Sequence, residues 1–186
     1  MGKLILNLAM SLDGYIADMD GGYGWIQGSG KNPLDTEKGW DFIEFLEGVD
    51  LVLMGRKSFD GLVGPELRGK EILVASRKRQ GTLEPSDLHG PVTFIGGLGE
   101  DITGIVQERL QEEGIEVYLY GGGETAWPFL EAGMVDELIL GLIPVTLGQG
   151  IPLFRAGGVP QEWTLVDRII EEGIVILHYH TRKPKG

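Results

Sequence analysis

The chain has 186 residues, 42% of them hydrophobic, so it is long enough to bury the core of one domain spanning residues 1–186. Its 16 basic and 28 acidic residues give a net charge of -12, which disfavours nucleic-acid and anionic membrane partners. It contains no cysteine, which excludes disulfides and thiolate chemistry and fits a cytoplasmic protein.

Five short apolar runs predict strands in the first two thirds of the chain. Continuous apolar runs of this length are typical of strands buried on both faces, and therefore of a mostly parallel sheet with helices on either side. The runs cover residues 3–10, 50–54, 71–75, 92–96 and 116–120. The predicted fold class is α/β, with three layers in the order helices, sheet, helices.

Three helices are predicted in the gaps between these strands. The first follows Asp35, a potential N-cap, and ends at Gly48. The second covers residues 101–114, where apolar side chains recur at helical spacing. The third begins at the glycine-rich turn of residues 121–123 and ends at Gly133.

The pattern changes after Gly133, because apolar segments now follow one another with turns and no helix between them. The segments DELILGLIPV, WTLVDRIIEEG and IVILHYHTR predict antiparallel strands at the sheet edge, the last two forming a hairpin. Residues 13–33 form the largest irregular segment, and loops of that length are usually functional or mobile.

The turn after the fifth predicted strand is rich in glycine. Its sequence from Gly121 to Ala126 matches the pattern G-x-G-x-x-A between a strand and a helix. Such a turn lets a phosphate approach the backbone and the helix N-terminus. A dinucleotide site usually has this turn early in the chain and an acid near the end of the next strand, where this sequence has Leu140. A tight packing turn is therefore an equal alternative.

Basic residues follow two other predicted strands. Since the carboxyl ends of parallel strands share the edge where ligands bind, guanidinium, ammonium and hydroxyl groups there favour a phosphate over two solvated basic loops. The residues are Gly55, Arg56, Lys57 and Ser58 after one strand, and Ser76, Arg77, Lys78 and Arg79 after the next.

Five segments resemble, in their order along the chain, the dihydrofolate reductase-like superfamily, and in particular the reductase domain of bacterial riboflavin biosynthesis and its stand-alone relatives. They are LAMSLDGYIA, MGRKSF, LVASRK, YLYGGGETAWPFLEAGMVDEL and PVTLGQGIPLF. The resemblance implies a dihydrofolate reductase-like fold and hydride transfer from NADPH to a small heterocyclic substrate. It also suggests a homodimer.

The resemblance further implies which residues bind NADPH or its oxidised form NADP. Two sets of residues would bind the phosphates: Gly55, Arg56, Lys57 and Ser58, and Gly121, Gly122, Gly123, Glu124 and Thr125. The adenosine 2'-phosphate would be bound by Ser76, Arg77 and Lys78. The nicotinamide would be flanked by Ala9 and Ile16.

Two departures from dihydrofolate reductases bear on the substrate. Gly39 and Gly141 stand where those enzymes carry the acid and the threonine that anchor the pterin. The SLDG sequence, residues 11–14, instead matches the riboflavin-type reductases, which act on 5-amino-6-(5-phosphoribosylamino)uracil. Reduction of such a precursor is the expectation. Dihydrofolate or pterin reduction, or a nucleotide-binding module without turnover, are the alternatives.

Asp13 is the first candidate for a catalytic group and Asp41 the second. A carboxyl group beside the nicotinamide could orient a substrate or relay a proton if burial raises its pKa. The alternative for Asp13 is a turn residue, because Asp-Gly is a strong turn signal. Ser11 and Trp25 are further candidates for substrate contacts.

Two aromatic residues complete the candidate substrate site. Phe42 and Phe45 are three apart on the first predicted helix, so they can share a face and line a pocket for a flat heterocycle. Aromatic residues at this spacing are more often part of a hydrophobic core, which is the alternative.

Two histidines raise the question of a metal. His178 and His180 are two apart on a predicted strand, so their side chains share a face. Zinc takes three or four ligands, and the third histidine, His89, lies in a loop. We therefore predict no metal site and a structural role for this pair on an edge strand.

Overall fold

The computed structural model describes residues 2–62 and 64–182. Its strands and helices alternate along most of the chain. The strands are β1 (Lys3–Ser11), β2 (Tyr15–Ala17), β3 (Leu51–Gly55), β4 (Glu71–Ala75), β5 (Gly81–Leu83), β6 (Val92–Ile95), β7 (Glu116–Gly121), β8 (Glu137–Ile143), β9 (Ile151–Pro152), β10 (Trp163–Glu171) and β11 (Ile174–Thr181). The helices are α1 (Phe42–Glu47), α2 (Arg56–Leu62), α3 (Ile102–Arg109) and α4 (Gly123–Glu131).

Nine of these strands form a central sheet in the order β10-β11-β8-β1-β7-β3-β4-β6-β5, and β2 pairs with β9. Within the sheet, β8, β1, β7, β3, β4 and β6 run parallel to one another. Buried residues of α3 and α4 pack on one face of this sheet, while α1 and α2 pack on the other. The predicted three-layer, mostly parallel α/β fold is confirmed.

The inner strands are buried on both faces, as their apolar runs predict. Leu4 and Leu6 of β1 are fully buried in the core beneath α3 and α4, while Ile5 between them faces the other side of the sheet and is 3% exposed. A second core under α1 and α2 includes Val52 and Tyr118. Alternate side chains of β1 are therefore buried on opposite faces of the sheet, one face covered by α3 and α4 and the other by α1 and α2.

The first helix starts later than predicted. Asp41, and not Asp35, is its N-cap, and Asp41 Oδ1 accepts hydrogen bonds from the backbone amides of Ile43 and Glu44, both at 2.9 Å. The prediction of a cap at Asp35 is wrong because the backbone of the next residue is hydrogen-bonded to β10 and does not begin a helix. The amide of Thr36 donates to the carbonyl of Ile170 on β10 at 2.8 Å.

The C-terminal strands are only partly as predicted. β8 is parallel to β1, since α4 returns the chain to the same end of the sheet, so the prediction of an antiparallel strand is wrong. β10 and β11 do form the predicted antiparallel hairpin, with Glu172 and Gly173 at its turn. β11 lies between β8 and β10, so its histidines are not on an edge strand.

Three short strands, β2, β5 and β9, were not predicted, because runs of two or three residues carry no periodicity that could identify them. Within residues 2–62 and 64–182, no helix is long and apolar enough to cross a membrane.

Phe129 of α4 is the largest side chain that is fully buried, and it lies in the core between α4 and the sheet. Phe129→Ala should lower the free energy of unfolding by about 3–5 kcal/mol, because it removes buried contacts and leaves a cavity. Urea denaturation measures this loss. Phe154→Ala is the control: that ring is 51% exposed, so the loss should stay below about 1 kcal/mol. Equal losses would contradict this packing.

Candidate active site

A cleft of about 910 Å³ opens at the carboxyl ends of β3, β4 and β7. The two basic turns and the glycine turn all line it, so the structure brings together the three turns that the sequence analysis singled out. The predicted residues that line the cleft are Gly55, Arg56, Lys57, Ser58, Ser76, Arg77, Lys78, Gly122, Gly123, Glu124 and Thr125. Their role in binding a cofactor stays a prediction.

Bare backbone at Gly55 allows two of these turns to meet. A Cβ atom at this position would lie 2.7 Å from Oγ1 of Thr125 and 3.9 Å from the carbonyl oxygen of Gly121. The first separation is too short for any side chain with a Cβ atom. Glycine at the end of β3 therefore lets the first basic turn and the glycine turn form one continuous wall.

The glycine turn leaves the start of α4 without a side-chain cap. Gly122 is the N-cap residue and has φ 84°, a left-handed conformation that favours glycine. The starts of α1 and α3 are instead capped by the carboxylates of Asp41 and Asp101. The first residues of α4 line the cleft and no side chain caps them, so an anion in the cleft can interact with this helix N-terminus.

The cations of the cleft are held by weak ion pairs. Arg77 Nη2 is 3.3 Å from Glu124 Oε2, and these side chains are 86% and 75% exposed. Arg56 Nε lies 3.1 Å from Asp60 Oδ2, also at the surface. Exposed pairs of this kind contribute little to stability. A phosphate entering the cleft can therefore take the place of either carboxylate at little energetic cost.

The second basic turn separates its side chains into two groups. Ser76 is buried, and its Oγ accepts a hydrogen bond from the amide of Arg79 at 3.0 Å, which leaves the hydroxyl hydrogen free to donate. Arg79 stacks on the ring of Phe94 at 4.2 Å and is not among the residues lining the cleft. Arg77 and Lys78 do line it.

A fourth turn also lines the cleft and was missed by the sequence analysis. It follows β6, and it contributes Gly96, Gly99 and Glu100, with Glu100 Oε2 accepting from the amide of Gly96 at 3.0 Å. The rule applied to the basic turns would have found it, since β6 is parallel to β4 and ends at the same edge. On another side, Trp127 and Ile151 form an apolar wall.

Three residues assigned to the cofactor are not among those lining this cleft. Gly121 is the last residue of β7. Ala9 lies on β1 opposite Gly141 of β8, and Ile16 lies on β2 and packs against the core beneath α3 and α4. The structure does not test whether Ala9 and Ile16 flank a nicotinamide.

Asp13 holds two loops together. Its carboxylate accepts hydrogen bonds from Ser11 Oγ at 2.6 Å, from the amide of Gly148 at 2.7 Å and from the amide of Leu147 at 3.1 Å. These donors lower the pKa of Asp13 to about 2, the Ser11 hydroxyl having the largest effect. The condition for proton relay by Asp13, a pKa raised by burial, is therefore not met, because the exposed carboxylate is stabilised in its charged form.

Ser11 is fully buried within the same turn. Its hydroxyl donates to Asp13 and accepts from the amide of Tyr15 at 3.0 Å. Both bonds shape the turn between β1 and β2. These contacts account for Asp13 as a turn residue, the alternative that the sequence left open for it. Contacts of Ser11 or Asp13 with a substrate stay a prediction.

The aromatic residues of α1 share a face, as predicted. The rings of Phe42 and Phe45 are stacked with centroids 6.0 Å apart, and both meet the ring of Tyr118 edge-on. Phe45 and Asp41 also line a smaller cavity of about 260 Å³ on this face of the sheet. Trp25, in the long loop, donates from Nε1 to the carbonyl of Gly22 at 3.2 Å. Contacts of these residues with a substrate stay a prediction.

Comparison with known proteins identifies the family. The family model for the RibD C-terminal domain matches residues 67–171. Two uncharacterised proteins of Bacillus subtilis (strain 168) are each 32% identical: YyaP over 96% of this chain and 94% of its own length, and YwjB over 82% and 83%.

Three solved structures have the same fold. A protein of Shewanella sp. PV-4 named for riboflavin biosynthesis is 26% identical, with a TM-score of 0.76 and coverage of 97% of this chain and 99% of that one. The second is from Thermotoga maritima and is named as a diaminohydroxyphosphoribosylaminopyrimidine deaminase/5-amino-6-(5-phosphoribosylamino)uracil reductase. It is 18% identical, with a TM-score of 0.69, and the match covers 97% of this chain and 57% of that one. A pyrimidine reductase-like protein of Corynebacterium diphtheriae is 13% identical, with a TM-score of 0.68 and coverage of 97% and 92%.

The fold is therefore that of the dihydrofolate reductase-like proteins. Within that class, the chain belongs to the RibD C-terminal domain family.

Asp13→Asn should destabilise the protein near neutral pH, because the amide loses the charge that attracts the Ser11 hydroxyl and the amide of Gly148. The folded pKa is below the unfolded one, so this stabilisation is present above about pH 4 and is lost as the pH falls towards 2. The difference in urea midpoint between the two proteins should therefore shrink on acidification. Asp20→Asn, which changes an exposed aspartate in the segment after β2, is the control. A difference that stays constant with pH would contradict this role of Asp13.

Proposed function

We propose that this protein is an NADPH-dependent reductase that transfers a hydride to a small heterocyclic substrate related to riboflavin precursors. The observation that carries the proposal is the meeting of two arginine-bearing turns with the uncapped start of α4 in one cleft. The solved neighbours named as a 5-amino-6-(5-phosphoribosylamino)uracil reductase and as pyrimidine reductase-like support the reaction class.

The cleft has the charge and the size for a dinucleotide with several phosphates. Arg56 and Lys57 on one side and Arg77 and Lys78 on another provide cations, although the protein as a whole carries a net charge of -12. Its volume of about 910 Å³ lies near the upper end of the usual range for ligand pockets, about 300–1,000 Å³. A dinucleotide fits such a cleft better than a single nucleotide does.

Each turn would have its own task. The amides at the start of α4 would donate to the pyrophosphate, which the bare backbone at Gly122 allows to approach closely. The guanidinium of Arg77 and the hydroxyl of Ser76 would hold the 2'-phosphate. Trp127 would form part of the wall, since its Nε1 donates to the carbonyls of Leu153 and Pro152 at 2.9 and 3.2 Å and so fixes the ring.

The cofactor would supply the hydride, and the chain would supply placement and shielding from water. The two carboxyl groups suggested by the sequence both have structural partners. Three donors stabilise Asp13 in its charged form, which disfavours it as a proton donor. Asp41 Oδ1 caps α1 through two amides, and a catalytic role for Asp41 stays a prediction.

The surroundings of Gly39 favour a riboflavin-type substrate over dihydrofolate. A Cβ atom there would lie 2.9 Å from Oε1 of Glu171, whose other carboxylate oxygen accepts from the amide of Trp40 at 3.0 Å. The hairpin thus fills the space beside the position where the resemblance places the pterin-anchoring acid. Gly141, on β8, offers no side chain in place of the threonine.

The test of the proposed function is NADPH oxidation with a panel of substrates, followed by the loss of NADPH absorbance. We expect turnover with 5-amino-6-(5-phosphoribosylamino)uracil and much slower turnover with dihydrofolate and other pterins. Calorimetry of NADPH binding is the accompanying measurement. Binding without turnover on any substrate would identify a nucleotide-binding module instead, and lack of NADPH binding would exclude both.

Arg77→Ala should weaken NADPH binding by about 10- to 100-fold, because a charged hydrogen bond to a phosphate is lost. NADH lacks the 2'-phosphate, so its affinity should change little. Titration calorimetry with both cofactors measures the difference, and equal losses would contradict the assignment of Arg77.

Glu124→Gln is the matched control for this experiment. It keeps the amide of α4 and removes the carboxylate that pairs with Arg77 at 3.3 Å. Affinity for NADPH should stay the same or rise a few-fold, while a loss as large as that of Arg77→Ala would indicate disruption of the cleft.

A homodimer and a cytoplasmic location are parts of the same proposal. The outermost strand β10 carries exposed apolar side chains, with Leu165 at 49% and Val166 at 46%, which a second copy could cover. Sedimentation velocity would test the dimer. The cysteine-free sequence fits a reducing compartment.

A further inference from the structure

Three potential metal ligands meet at the end of the sheet opposite the cleft. Glu137 is the first residue of β8, and His180 of β11 is its direct partner across the sheet. His178 lies two residues earlier on β11, so both imidazoles and the carboxylate project from the same face. Glu137 therefore places a third potential ligand atom beside the two histidines.

The distances between the ligand atoms suit a tetrahedral ion. Nε2 of His178 is 2.9 Å from Oε2 of Glu137, and Nε2 of His180 is 3.6 Å from Oε1. One donor atom from each of the three residues lies within 4.8 Å of the others. Zinc bonds of about 2.0–2.1 Å place tetrahedral ligand atoms about 3.3 Å apart. Small side-chain movements are therefore enough to surround an ion.

The local charge attracts a cation. Glu137 and His178 line the cavity of about 260 Å³ on the α1 face, together with four further acids and one lysine. That lysine, Lys38, is already paired with Glu44 at 3.3 Å. The remaining acids are Asp41, Glu116 and Asp167.

Glu137 is placed as a ligand by its burial and by the position of its two oxygens. Its side chain is 10% exposed, so few water molecules need to be displaced when it binds an ion. Its Oε2 lies 2.9 Å from His178 Nε2, and its Oε1 accepts from Lys3 Nζ at 2.9 Å. The carboxylate therefore already lies among the groups that an ion would replace or bind.

Lys3 competes with a metal ion for this carboxylate. Its Nζ donates to Oε1 of Glu137 at 2.9 Å and lies 3.9 Å from Oε1 of Glu116. The lysine side chain is half exposed, so it can turn to solvent when an ion binds. Removing its charge should consequently strengthen metal binding.

We propose that Glu137, His178 and His180 form a site for a divalent transition-metal ion, with zinc as the best match. Two imidazoles and one carboxylate are ligands that zinc accepts, and three protein ligands leave a coordination position for water on the side of the cavity. The ion would join β8 of the parallel sheet to β11 of the hairpin. This site shares no lining residue with the cofactor cleft, so it stands independently of the reductase proposal.

Zinc titration of tag-free protein by calorimetry tests the site. We expect one zinc ion for each chain and a higher melting temperature on its addition. His178→Gln and His180→Gln should each lower zinc affinity by about 100-fold or more and abolish the thermal shift. His89→Gln is the matched control, because His89 lies outside the group and contacts Phe59 and Gly90. Absence of zinc binding at micromolar concentration, or equal affinity in all four proteins, would overturn the proposal.

Two further measurements separate ligation from a general effect on folding. Cobalt(II) bound to the unaltered protein should show the intense visible bands of a four-coordinate site, and His180→Gln should remove them. Lys3→Met should bind zinc several-fold more tightly than the unaltered protein, whereas unchanged or weaker binding would contradict this geometry. NADPH affinity should be the same in every variant, which keeps this test distinct from that of the cleft.

Discussion

Parallel pairing of β3 with both β4 and β7 is the constraint on which the cleft depends. It forces three chain reversals to occur at one edge, within reach of one another. Two of them meet where Gly55 has no side chain, since a Cβ atom there would require Oγ1 of Thr125 to shift. The uncapped start of α4 then faces the same space as the arginines, which makes the edge suitable for phosphates.

The cleft was largely predictable because its information is local. A buried strand, a following basic or glycine-rich turn and the shared edge of parallel strands are all readable from short segments such as residues 71–78. The turn after β6 was not predicted to line the cleft because residues 96–101 include no basic residue. Its position on the edge follows from the same rule.

Other features depend on contacts that are distant in sequence. The start of α1 is decided by a bond between Thr36 and Ile170 of β10, and no pattern around Asp35 reveals it. The direction of β8 follows from where α4 returns the chain, which an apolar run cannot show. Similarly, Glu137 pairs with His180 although the two are 43 positions apart in the sequence, so no spacing rule brings the three potential ligands together.

The bonds of Asp13 join the turn after β1 to residues 147–148, which follow β8. These two strands are direct neighbours, so a single carboxylate fastens the loops that leave adjacent strands. We therefore expect the sequences of the two loops to change together in evolution. A relative without the aspartate needs another contact to hold the second loop. A relative with a different second loop no longer needs the aspartate. Substitutions in either segment should accompany changes in the other across the family.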